Sequence, residues 1–233
     1  MRKNVLLIPG WGQKPEVLNP AVRDDFHGVG LDYAVYPSKE RLFSSFSKVE
    51  SYEFVIGWSL GGQIALELIG RGLIKTHFLV LIAAPYQYVS DEPTHQGVTT
   101  QSFKDFCAEY ENDPSGMLSR FRYFIAQGDS NAKQVVKGLR THTDAAALKN
   151  LGYWLQQLNT FSASKMDLND FPRTLIVHGK EDAVTHVEQA HLLHAAIKQS
   201  AIYIVESCGH APHLHDPSQI LNQIENGLAN AGL

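Results

Sequence analysis

The sequence predicts an α/β fold: a mainly parallel sheet of about six strands, helices on both of its faces, and one helical insertion. Three observations point there. Short apolar runs recur along the chain with helical stretches between them. The runs are β-branched or aromatic and do not alternate with polar residues, as strands buried on both faces of a parallel sheet require. The alternation of strand and helix stops once, between about Tyr86 and Phe171, where no convincing strand is legible. A chain of 233 residues suits one core with an insertion better than two full domains. The expected division is a core of residues 1–85 and 171–233 and a helical lid of residues 86–170.

In chain order, Val5–Ile8, Tyr33–Tyr36, Phe54–Ile56, Phe78–Ile82, Leu175–Val177 and Ile202–Val205 read as strands. Gly61–Ile69, Val187–Ile197 and Pro217–Leu228 read as helices of the outer layers. Within the insertion, Phe103–Tyr110, Met117–Gln127, Lys133–Arg140 and Ala145–Leu158 have the spacing of short amphipathic helices. Breaks fall at Asp113-Pro114, Gly128 and His142-Thr143.

Apolar residues make up 44% and charged residues 19%, an ordinary globular composition. A net charge of −4 argues against general nucleic-acid binding. Cys107 and Cys208 are far apart in sequence and read as reduced, buried thiols, which suits a cytoplasmic protein. Val5–Ile8 is too short for the apolar region of a signal peptide, and no stretch approaches the ~18 apolar residues of a membrane helix. The expectation is a soluble, intracellular protein without a membrane partner.

The segment Phe54-Val55-Ile56-Gly57-Trp58-Ser59-Leu60-Gly61-Gly62 is a strand, then Gly-x-Ser-x-Gly, then a helix. That order carries chemistry. A nucleophilic serine must stand on a tight strand-to-helix turn above the sheet, and glycines on either side remove side chains that would collide there. The helix behind it aims its free N–H groups at developing negative charge. Ser59 is therefore the candidate nucleophile. Acyl transfer also needs two N–H donors for the tetrahedral oxygen. Leu60 supplies one, and Trp11, in the loop Ile8-Pro9-Gly10-Trp11-Gly12, supplies the other, its indole also walling the site.

With the serine first, the acid and the base should follow in that order at the ends of later strands. Asp182 comes three residues after Gly179, just past the strand Leu175–Val177, with Glu181 as the adjacent alternative. His210 follows the strand Ile202–Val205 in Cys208-Gly209-His210-Ala211-Pro212, with His213 and His215 as competitors further from the strand end. Asp182 would orient His210, and His210 would act as general base. The eleven histidines invite a metal reading, His191 and His194 in particular. No His-Glu-x-x-His pattern or cysteine pair supports it, so no metal or other cofactor is expected.

Gly10-Trp11-Gly12, Gly57-Trp58-Ser59-Leu60-Gly61-Gly62, Gly179-x-x-Asp182 with Val184, and Gly209-His210-Ala211-Pro212 together resemble the pimeloyl-[acyl-carrier protein] methyl ester carboxylesterases of biotin synthesis. These belong to the α/β-hydrolase superfamily, so the resemblance implies the α/β-hydrolase fold. The likeness covers both ends of the chain and the elbow, while the middle third resembles the family only in being a helical lid. Three features depart from the pattern. The chain starts directly at the first strand, Pro9 stands where many relatives have His, and Pro37-Ser38-Lys39-Glu40-Arg41 replaces a glycine-rich segment. The resemblance implies hydrolysis of the methyl ester on a pimeloyl chain borne by acyl carrier protein. A broad carboxylesterase or thioesterase with the same triad is the alternative, and a non-catalytic hydrolase-fold binding protein a remote one.

The insertion is basic in a chain that is acidic overall. From Pro114 to Met166, Arg120, Arg122, Lys133, Lys137, Arg140, Lys149 and Lys165 face only Asp129 and Asp144, 7 − 2 = +5. Lys133, Lys137 and Arg140 share a face if that segment is helical. Arg120, Arg122, Lys137 and Arg140 are the expected docking residues for an acidic carrier. Phe124, with Phe121, Tyr123, Tyr153, Trp154 and Phe161, would line the acyl tunnel or fill the seam between lid and sheet.

Overall fold

A computed structural model describes residues 3–141 and 145–233. One sheet contains β1 Lys3–Ile8, β2 Phe26–Gly30, β3 Glu50–Trp58, β4 Ile74–Ile82, β5 Arg173–Gly179 and β6 Ser200–Val205. The spatial order is β2-β1-β3-β4-β5-β6 and every neighbouring pair is parallel. Burial explains the sequence pattern. Every residue from Phe54 to Trp58 in β3 and from Phe78 to Ile82 in β4 is buried, so neither face tolerates polar alternation.

The strand expected at Tyr33–Tyr36 is a turn, and the strand beside β1 is β2, earlier in the chain. β2 reads Phe-His-Gly-Val-Gly and is half in solvent, so its apolar signal is weak. Tyr33 is buried for another reason. Its hydroxyl donates to the Pro9 carbonyl at 3.0 Å, and the Asp32 side chain closes the turn by accepting the Ala34 N–H.

Helices cover both faces. α1 Lys39–Ser45, not expected from the sequence, starts at Ser38, whose hydroxyl accepts the Arg41 N–H. α2 Leu60–Gly70 follows β3. Between β4 and β5 the chain forms α3 Thr100–Asn112, α4 Pro114–Ile125, α5 Ala132–Gly138 and α6 Ala145–Gln157. α7 Glu188–Ala196, the short α8 Pro212–His215 and α9 Pro217–Ala231 complete the chain. α5 ends two residues short of Arg140, because Leu139 is already extended and Lys14 N–H bonds to the Arg140 carbonyl. Arg140 is therefore not on a helix face with Lys133 and Lys137. The break expected at His142-Thr143 and the charge of Asp144 lie outside the described residues.

The insertion is bolted to the core by aromatic side chains. The Trp11 indole N–H donates to Leu151 O and the Trp154 N–H to Tyr36 O, both at 2.8 Å. Among the described residues no helix is long and apolar enough to cross a membrane. Register then places the ends that matter. Ile8 pairs with Gly57, Trp58 with Ile82, and Gly179 with Val205. The loops after β1, β3, β5 and β6 thus leave the same edge of the sheet. The first two flank the point where strand order reverses, the place where open α/β sheets form ligand crevices.

Candidate active site

Ser59 sits between β3 and α2 with φ 54° and ψ −119°, outside the regions open to most L-residues. Two neighbours force it there. The Ser59 N–H donates across to Ile82 O at 2.9 Å, while α2 must turn back over the sheet at once. That turn depends on Gly61: a Cβ there would run into the carbonyl oxygens of Ile8 and Pro9. The Ser59 hydroxyl makes no capping bond to the helix it precedes. Leu60 is the first residue of α2, so its N–H has no carbonyl one turn back to receive it. Trp11 is the second residue of a turn closed by Gln13 N–H to Gly10 O at 3.2 Å, and Gly12 supplies its positive φ of 74°. The Trp11 indole is 3% exposed and stacks against Phe106, Tyr110 and Phe121. It is a clamp between core and insertion.

Asp182 and His210 meet. His210 Nδ1 lies 2.8 Å from Asp182 Oδ2, both side chains buried. An ionised carboxylate only accepts, so Nδ1 carries a proton, and in the neutral imidazole Nε2 is then the acceptor. The other oxygen, Asp182 Oδ1, accepts the N–H groups of Val184 and Thr185, each at 2.8 Å. Burial pushes the Asp182 carboxyl up, but the charge of His210 and the bonds from His178 and His210 outweigh it and hold it well below the usual carboxylate range. Glu181 is exposed.

Three further residues complete the surroundings: His178 and Trp58, to which the sequence assigns no role, and His213, a competitor of His210. His178, fully buried at the end of β5, lies 2.8 Å from Thr185 O and 3.2 Å from Asp182 Oδ2 through Nε2. A histidine closing an otherwise apolar strand, four residues before the acid, was the signal. Trp58 donates its indole N–H to the His210 carbonyl at 2.8 Å, tying the residue before Ser59 to the backbone of His210. His213 is fully buried, stacks edge-on against Trp58 at 4.7 Å, and has no hydrogen-bond partner on either nitrogen among the described residues. Burial, then the charge of His210, lowers its pKa to about 3. The unfolded chain takes up this proton near pH 6.5 and the folded one does not. Stability should therefore fall between about pH 6.5 and about 3, by roughly 1.4 kcal/mol per pH unit from this group. His213→Phe should flatten that part of the profile in urea titrations, and a slope equal to wild type would contradict the assignment.

The expected docking residues are scattered. Arg120 pairs with Glu109 and, at 3.4 Å, with Asp113. Arg140 turns its guanidinium onto the carbonyls of Lys137, Gly138 and Leu139 at the end of α5. Arg122 is half-buried, and Lys133 and Lys137 are exposed. Among the aromatic residues, Phe121, Trp154 and Phe161 are buried in the seam, and Tyr123 and Phe124 are exposed. Cavities of about 410 Å³ between α3 and α6, and about 550 Å³ beside Lys39 and Phe161, do not include Ser59 or His210.

Residues 5–223 match the model of the "Alpha/beta hydrolase family". The chain is 29% identical over 250 aligned positions to the pimeloyl-[acyl-carrier protein] methyl ester esterase of Aromatoleum aromaticum, covering 97% of this chain and 98% of that protein. It is 28% identical to the biotin biosynthesis bifunctional protein BioHC of Teredinibacter turnerae, over 75% of this chain but 32% of that protein. The chain thus spans only about a third to a half of the bifunctional relatives it matches. In fold it is similar to a hydrolase from Oleispira antarctica, at TM-score 0.79 and 15% identity, covering 99% of this chain and 92% of that one. The six parallel strands, the tight turn at Ser59 and the match across nearly the whole chain make this protein a member of the alpha/beta hydrolase family.

Proposed function

We propose that this chain is a serine carboxylesterase that cleaves the methyl ester of a pimeloyl chain borne by acyl carrier protein. The observation that carries the chemistry is the buried Asp182–His210 bond, tied through Trp58 to the strained Ser59 turn. Ser59 Oγ attacks the ester carbonyl and His210 Nε2 takes its proton. The N–H groups of Trp11 and Leu60 hold the tetrahedral oxyanion. The intermediate collapses to an acyl-enzyme as His210 returns the proton to the departing methoxide, releasing methanol. Water then attacks, activated by His210, and the free ω-carboxylate leaves with Ser59 restored. The choice of ester rests on the named activity of the relatives, the one from Aromatoleum aromaticum above all. The insertion, residues 86–170, acts as a lid over this site, and the reaction belongs to the cytoplasm.

Supplying this gene to a biotin-requiring mutant that lacks the esterase should restore growth on biotin-free medium. Failure, with the purified protein still cleaving small esters, would favour the broad-esterase reading. One observation speaks for that reading: Arg120 and Arg140 are engaged within the chain, leaving fewer cations for an acidic carrier. The docking prediction therefore centres on the exposed Lys133 and Lys137. Reversing both to Glu should raise KM for the carrier-linked ester several-fold at low salt, and less at high salt. Hydrolysis of p-nitrophenyl acetate should not change. Arg120→Glu alone should do little, since Glu109 and Asp113 already offset that charge. Unchanged KM for the double reversal would remove the carrier from this face.

A further inference from the structure

A second buried acid–histidine pair lies behind the loop that carries His210. Asp129 stands in the link between α4 and α5, and its side chain is fully buried. Its Oδ1 accepts His215 Nδ1–H and the Asn131 N–H, both at 2.7 Å. Its Oδ2 accepts the N–H of Gly209, the residue immediately before His210, at 3.0 Å. The Cys208 thiol also lies against this carboxylate. Asp129, Cys208 and His215 bring a carboxylate, a thiol and an imidazole within 4.8 Å, the parts of a nucleophilic or metal-binding site. Neither use fits. Burial and then Asp129 push the thiol up, keeping it protonated, and the oxygens of Asp129 are already occupied by three N–H donors.

What the cluster does is join two segments. Ser130 N–H bonds to Ser207 O at 2.9 Å, and His210 N–H to Ile125 O at 3.0 Å. The backbone on both sides of the α4–α5 link is thus stitched to the backbone on both sides of Gly209. Only an acceptor-only group satisfies three N–H donors at one point, which is why an ionised carboxylate is placed there. We infer that Asp129, held by His215, is a positioning residue: it fixes the backbone at Gly209, the residue before His210, and so sets where the general base stands relative to Ser59 and Asp182. This inference rests on the serine-esterase reading above. It also means that the α4–α5 link of the insertion and the base move as one body.

The test uses the full chain and p-nitrophenyl acetate, with active serine counted by a fluorophosphonate probe. Asp129→Ala should lower kcat per folded enzyme by about 10²-fold with KM unchanged, the effect of a misplacement near 1 Å. Combined with Asp182→Asn it should add little to that variant's own loss, because both act through the same imidazole. If Asp129→Ala does not fold, the His215 pair decides. His215→Asn keeps an N–H where Nδ1 stood and should stay near wild type, whereas His215→Leu should lose at least tenfold in kcat. A folded Asp129→Ala with wild-type kcat, losses that simply multiply with Asp182→Asn, or equal activity in the two His215 variants would overturn the inference. Wild-type protein that neither cleaves the ester nor takes up the probe would overturn the esterase reading itself, and this inference with it.

Discussion

Ser59→Ala is expected to abolish ester hydrolysis, with a loss of roughly 10⁴–10⁶ in kcat. Alanine keeps the backbone demand of the turn and removes only the hydroxyl, which makes no capping bond to α2, so the fold should persist. p-Nitrophenyl acetate turnover and fluorophosphonate labelling measure the loss. More than a small fraction of wild-type turnover would place the nucleophile elsewhere. A companion change separates strain from chemistry. Ser59→Gly should be equally inactive yet more stable than Ser59→Ala by about 1 kcal/mol, because glycine adopts positive φ without a Cβ penalty. The extra stability would show as a raised Tm, and its absence would mean that the turn stores no strain at this residue.

The second large effect is at the acid. Asp182→Asn should cost about 10⁴ in kcat. An amide at this position can donate to His210 Nδ1, which would favour the tautomer with its proton on Nε2, where the acceptor is needed. Glu181→Gln should change kcat/KM little, because Glu181 is exposed and Asp182 is the residue within 2.8 Å of His210. The opposite ranking would exchange the two roles. Asp182→Asn should also lower stability at neutral pH. Its depressed carboxyl contributes above the unfolded value near 4 and loses that contribution as the pH falls below it. Unfolding midpoints of wild type and variant should therefore converge on acidification.

The parallel sheet and the loops that carry the candidate site residues were legible because their signals are local. A strand buried on both faces must be continuously apolar, as in Phe54–Ile56 and Phe78–Ile82, and a serine in a tight strand-to-helix turn must be flanked by glycine. Asp182 and His210 each follow a strand end, and parallel register brings Gly179 and Val205 to the same edge, so the two side chains meet. Edge strand β2 escaped notice because half of it faces water, and Tyr33 imitated a strand because a buried hydroxyl, not a sheet, holds it. The basic stretch of the insertion was visible as composition, but whether each cation is available was not. Arg120 and Glu109 lie on different helices, and the Arg140 guanidinium folds back onto the end of α5.

The sequence by itself determined the fold class and offered Ser59, Asp182 and His210 as the candidate triad, since each of those signals lies in a short stretch of chain. Only the tertiary structure decided that His178 meets the Asp182 carboxylate, that Trp58 bonds to the His210 carbonyl, that Asp129 accepts the Gly209 N–H, and which cations of the insertion are already paired. Two of those contacts join residues that lie far apart along the chain, Trp58 and His210 by 152 positions and Asp129 and Gly209 by 80. A buried hydrogen bond of this kind leaves no periodicity in the chain. It exists only because packing removes water from both partners and leaves their polar groups to bond to one another.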